Sequence, residues 1–132
     1  MSLSEGTERT DTMVEKVDRA MFVRYAGASG DFNPIHWNED FAKSAGYPGV
    51  FAQGMFTAGV LGTFVTNWFG ERNVRRFRTR FVGQVWPGEA IVCKGTVTKL
   101  YDAHGEKRAD VALEVTNADG ERKIDGDATV VV

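Results

Sequence analysis

Cysteine is almost absent: Cys93 stands alone, so no intrachain disulfide can form. Such usage fits a reducing, cytoplasmic setting. Histidine is nearly as scarce, with only His36 and His104. One thiol and two distant imidazoles do not make a metal site, so no metal is expected. An excess of positive charge is also missing. Lys and Arg number 16 against 18 Asp and Glu, a net charge of −2. General nucleic-acid affinity needs a basic excess to displace counterions, and is excluded on that ground. The first residues (Ser4, Glu5, Thr7, Glu8, Arg9) are polar, so no signal segment is expected.

Charge is absent from one long stretch, residues 44–70. A membrane span needs about 20 mostly apolar residues. This stretch is broken by Pro48, Gly54, Gly59, Gly62, Gln53 and Asn67, so a helix buried in a soluble protein is the better reading. The 132 residues, 42% hydrophobic and 26% charged, fit one globular domain over 1–132.

The two halves differ in character. In the first, Asp18 is placed to cap a helix over about 19–27 with Met21, Phe22 and Tyr25 inward, stopped by Gly27 and Gly30. Gly30-Asp31 and Asn33-Pro34 force turns. Asn38 caps a short helix, with Glu39 and Asp40 at its positive end, Lys43 in its last turn and Gly46 after it. The uncharged helix, about 53–69, is apolar nearly all round and must be covered on most sides. In the second half the pattern alternates with period two. Strands are expected over 74–82, 89–101, 108–117 and 122–132. Ile91, Cys93, Gly95, Val97, Val111, Leu113, Val115, Ala128, Val130 and Val132 point inward. A weaker strand covers 7–17. A long antiparallel sheet with one buried helix suggests an α+β arrangement in which the sheet wraps the helix.

The chemistry concentrates in Ser29-Gly30-Asp31-Phe32-Asn33-Pro34-Ile35-His36. Carboxylate and imidazole are the side chains best suited to moving a proton to or from water near neutral pH. Pro34 stiffens the link between them. Gln53-Gly54-Met55 follows at a helix start, where a free backbone N–H can hold a developing oxyanion. By contrast, His104 reads as an exposed hairpin turn and Cys93 as a small core hydrophobe. Arg72, Arg75, Arg76, Arg78 and Arg80 form a basic patch, either a solvated strand face or a landing site for phosphates.

The run from Tyr25 to His36, continued by Ala42, Gly46 and Ala52-Gln53-Gly54-Met55, resembles the MaoC-like (R)-specific enoyl thioester hydratases. Within them it is most similar to the catalytic subunit of bacterial (3R)-hydroxyacyl-acyl-carrier-protein dehydratases. Phe81, Pro87-Gly88 and Gly126-Asp127-Ala128 fit the same pattern. The resemblance implies the hot-dog fold, a curved antiparallel sheet around a long central helix. It also implies reversible hydration of trans-2-enoyl thioesters, carried on coenzyme A or acyl carrier protein, without a cofactor. Asp31 and His36 would activate one water, the Gly54 N–H would stabilise the enolate oxygen, and Ser29 and Asn33 would orient the loop or the water. Arg76, Arg78 and Arg80 would meet coenzyme A or carrier phosphates. A dimer, with itself or with a related hot-dog subunit, is the expected assembly. Where the family usually has Ala-His-Gly-Met, this chain has Gln53, expected beside Gly54 among the substrate-binding residues; it hydrogen-bonds but does not titrate. A thioesterase on the same fold, a non-catalytic acyl-binding subunit and a small-ligand binder are the competing classes.

Overall fold

The structure, a computed structural model, describes residues 3–132. Its elements run β1 (Glu8–Val14), α1 (Arg19–Ser29), α2 (Glu39–Ser44), α3 (Gly54–Phe69), β2 (Val74–Phe81), β3 (Ile91–Ala103), β4 (Glu106–Thr116) and β5 (Arg122–Val131). Short 3-10 turns cover Pro34–His36 and Glu71–Asn73. The five strands form one antiparallel sheet in the order β1-β3-β4-β5-β2. Helix α3 packs against strands from across that sheet, β1, β3, β5 and β2. This is the hot-dog arrangement. No helix among the described residues is long and apolar enough to cross a membrane.

The inward faces follow the alternation. Ile91, Cys93, Val97, Ala109, Val111, Leu113, Val115, Ile124, Ala128 and Val130 are buried. From α3 they receive Ala58, Leu61, Phe64, Val65 and Trp68. Burying each large apolar side chain contributes about 1.5–3 kcal/mol, which sets the core apart from the polar outer face of the sheet. Val132 departs from its expected inward position: it lies beyond β5 and is 45% exposed. The sheet covers only one side of α3. Met55, Gly59, Thr63 and Asn67 form an exposed stripe along its other side, so this chain alone does not cover the helix on most sides.

Gly95 permits the close approach of helix to sheet. A Cβ there would stand 2.6 Å from Trp68 Cζ3 and 3.3 Å from Leu113 Cδ2. Gly95→Ala is therefore expected to destabilise by about 1–3 kcal/mol through overpacking, read as a fall in the denaturant midpoint with unchanged slope.

Local caps place the first-half loops. Asp18 Oδ1 accepts the Met21 N–H at 2.9 Å and starts α1. Gly27 does not stop α1; it lies inside the helix on an exposed face. Gly30, at φ 80°, ends the helix by donating its N–H to Ala26 O. Inward from α1 go Phe22 and Ala26, while Met21 and Tyr25 are only half-buried. Asn38 Oδ1 caps α2 through the Phe41 N–H at 3.1 Å. Only Ala42 of α2 is buried.

Candidate active site

Asp31 and His36 are set by a chain of short-range bonds. Ser29 Oγ donates to Tyr25 O at 2.7 Å and accepts the Asp31 N–H at 3.1 Å, so the end of α1 fixes the start of the loop. Asn33 donates its N–H to Asp31 Oδ1 at 3.3 Å, and its own Oδ1 accepts the Ile35 N–H. Pro34 opens the 3-10 turn that carries His36 inward to 6% exposure. Ser29 and Asn33 thus hold the loop that carries Asp31.

His36 Nδ1 lies 2.7 Å from Phe51 O. A carbonyl oxygen only accepts, so this bond assigns the proton to Nδ1 and leaves Nε2 as the acceptor in the neutral ring. Nε2 faces Asp31 Oδ2 at 3.9 Å. That is too long for a direct hydrogen bond and suits one water held between the two groups. The Asp31 side chain is 44% exposed, so water reaches the gap.

The second half of the site is the start of α3. Gln53 has no capping side-chain bond, and the Gly54 N–H has no partner among the described residues. The Phe81 ring closes over Gly54: a Cβ there would stand 3.1 Å from Phe81 Cζ. A cavity of about 370 Å³ opens beside them, lined by Phe51, Ala52, Gly54, Thr57, Phe81 and the loop from Val82 to Val85. No charged side chain lines it. Neither Asp31 nor His36 lines the cavity; Phe51 joins the two parts, since its carbonyl meets His36 and the residue also lines the cavity.

Gln53 takes a different place from the substrate-binding one expected. It is fully buried, does not line the cavity, and donates from Nε2 to Phe22 O at 2.8 Å. It ties α1 to the start of α3. Its Oε1 is buried without a partner among the described residues.

Arg76, Arg78 and Arg80 lie on β2, each exposed. Arg78 is engaged with Asp127 at 2.8 Å, whereas Arg76 and Arg80 form no ion pair among the described residues. His104 occupies an exposed turn at φ 53° beside Gly105 at φ 75°, the two-residue hairpin geometry. Burial, with the nearby Asp11 charge, pushes the Cys93 thiol up to about 12, which removes it as a nucleophile. No cluster of His, Cys, Asp and Glu able to hold a metal occurs among the described residues.

The model of the MaoC-like domain family matches residues 4–119. The chain belongs to that family. Among curated relatives, the fatty acid synthase beta subunit TOXC of Cochliobolus carbonum is 34% identical over 113 residues, 80% of this chain. The chain spans only 5% of that relative's length. The 3-hydroxyacyl-thioester dehydratase X of Mycobacterium tuberculosis is 51% identical over 45 residues, 34% of this chain and 16% of the relative. In fold, the (R)-hydratase from A. caviae involved in PHA biosynthesis superposes with a TM-score of 0.85 at 21% identity, covering 99% of this chain and 98% of that one.

Sequence reasoning missed Phe51 as the acceptor that orders His36, because its signal was only that of an aromatic near a turn. It also missed the loop from Val82 to Val85 as a cavity wall. Neither role has a sequence motif, since each rests on contacts between distant segments.

Proposed function

We propose that the protein hydrates trans-2-enoyl thioesters, and in reverse dehydrates (R)-3-hydroxyacyl thioesters. The observation that carries this reading is the 3.9 Å gap between His36 Nε2 and Asp31 Oδ2, with Nδ1 already committed to Phe51 O. A water in the gap donates one hydrogen bond to Nε2 and the other to the Asp31 carboxylate. As its oxygen bonds to C3, the proton passes to Nε2. The C2–C3 π electrons move toward the thioester carbonyl, whose oxygen becomes enolate-like and accepts from the Gly54 N–H. The imidazolium then returns the proton to C2 on the same face. The uncharged cavity suits the acyl part of such a substrate. The named dehydratase among the relatives supports the same chemistry.

The thioester carrier is coenzyme A or acyl carrier protein, and the exposed Arg76 and Arg80, which form no ion pair among the described residues, would meet its phosphates. Strand β2 is a sheet edge, and Phe77, Phe81 and Val82 are exposed on or just after it. An open edge with aromatic side chains calls for a covering partner. A second copy or a related hot-dog subunit supplies one. The lone buried thiol fits a cytoplasmic setting.

With a short enoyl-CoA, loss of the conjugated absorbance without release of free thiol is the expected result. Thiol release at the same rate would instead establish a thioesterase. If enoyl-CoA is inert, the same two readouts on enoyl-acyl-carrier protein decide the question, and inactivity on both overturns the reading.

A further inference from the structure

Lys123 is buried to 4% exposure, although the alternation of β5 would turn it outward beside Asp125 and Asp127. The cause is a bulge. In the β4–β5 pairing Val115 faces Ile124 but Thr116 faces Arg122, leaving Lys123 as the extra residue. Consecutive residues Lys123 and Ile124 are therefore both buried.

The inward ammonium has all three donors in use. Nζ lies 2.7 Å from Gln84 O and 3.0 and 3.2 Å from the two Glu89 carboxylate oxygens. Glu89 Oε1 also accepts the Trp86 N–H at 2.7 Å, and Oε2 accepts from Asn117 Nδ2. Asn117 Oδ1 in turn accepts the N–H groups of Asp119 and Glu121 at 3.0 and 2.9 Å. Burial pushes the Glu89 carboxyl up, but the bonds from Asn117, Trp86 and Lys123 outweigh it and leave the group below its ordinary value. The backbone adds to the clamp: Lys123 O accepts the N–H groups of Val82 and Gly83.

On one side this network holds the segment from Val82 to Glu89, whose first part, Val82 to Val85, walls the cavity beside Gly54. From that segment, Val85 O accepts the Ala52 N–H at 2.9 Å, two residues before Gly54. The Trp86 ring meets Phe51 edge-on at 5.5 Å, and Phe51 O orders His36. A buried ion pair is a poor source of net stability. Its directional bonds do fix several backbone groups at once, which an apolar pair could not do.

We propose that the buried Lys123–Glu89 pair, closed by Asn117, is a positioning device for the site: it sets the cavity wall and, through Ala52 and Phe51, the substrate-facing start of α3. The kinetic consequence rests on the hydratase reading; the structural one does not.

The test is the double variant Lys123→Met with Glu89→Gln, which removes the pair without leaving one buried charge alone. Backbone amide exchange in residues 50–56 and 82–89 is expected to quicken about tenfold, with the β3–β4 pairing unchanged. KM for an enoyl thioester rises about tenfold while the pH profile of kcat keeps its shape, because Asp31 and His36 are untouched. Wild-type exchange in those segments together with wild-type KM overturns the proposal, whatever happens to the melting temperature. If the double variant fails to fold, Asn117→Ala decides: it should show the same regional pattern at about threefold, and uniform exchange changes would count against the proposal. An inactive wild type would sink the hydratase reading alone, since the exchange pattern still judges the clamp.

Discussion

Asp31→Asn is expected to lower kcat for enoyl thioester hydration by about 10²–10⁴-fold while leaving the melting temperature close to wild type. The side chain is 44% exposed, and its one hydrogen-bond partner among the described residues is the Asn33 N–H on Oδ1. An amide oxygen can keep that bond. What changes is the other end, where an N–H donor or a weaker acceptor replaces the carboxylate oxygen facing the water. His36→Ala should remove at least as much activity, but it is the less clean variant. It leaves the Phe51 carbonyl without its 2.7 Å donor in a buried place, at a cost of about 1–3 kcal/mol. Because both groups act on one water, the double variant should be scarcely slower than the worse single one. Steady-state rates with circular dichroism on each variant check this. Near-normal turnover in Asp31→Asn would remove the dyad from the mechanism.

Gly54→Pro should cost about 10²–10³-fold in kcat, the size of one lost oxyanion donor. Proline is well tolerated at the first helical position, where its missing N–H would have had no helical partner. The preceding Gln53 already sits at φ −59° and ψ 135°, the conformation proline demands of its neighbour. The substitution therefore deletes the amide hydrogen and spares the helix. Its ring also presses on Phe81, so Gly54→Ala is the control: it keeps the N–H and adds a Cβ 3.1 Å from Phe81 Cζ. The Ala variant should lose far less in kcat than the Pro variant and show its defect chiefly in KM. Equal losses in both would mean that crowding, not the amide, is responsible.

Much of the frame could be read from local rules. Asp18 and Asn38 cap their helices because a short side-chain oxygen can reach a free N–H three residues on. The inward faces follow period two from Ile91 to Val97 in β3, up to the bulge at Val97 and Lys99, and from Ala109 to Val115 in β4. The loop around Asp31 was readable for the same reason, since its bonds span two to four residues. What escaped depends on distant segments. Of the two glycines expected to stop α1, Gly30 does so in its left-handed turn, whereas Gly27 stays helical, since an exposed helical glycine costs only about 1 kcal/mol. Gln53 was expected at the pocket; its donor finds Phe22 O, 31 residues away, inside the core. Lys123 obeyed the outward pattern in sequence, and only the bulge against Thr116 and Val115 turns it in. The uncharged helix promised fuller cover than one chain provides, since the exposed stripe from Met55 to Asn67 faces away from the sheet.

The central claim is that water adds across the C2–C3 double bond and the thioester survives. Its most direct measurement is mass spectrometry of the product formed from an enoyl thioester, on coenzyme A or acyl carrier protein, in heavy water enriched in oxygen-18. One oxygen-18 at C3, one deuterium at C2 and an intact thioester are expected, with labelling lost in Asp31→Asn. Oxygen-18 found in a free carboxylate, with thiol released and C2 and C3 unlabelled, would contradict it.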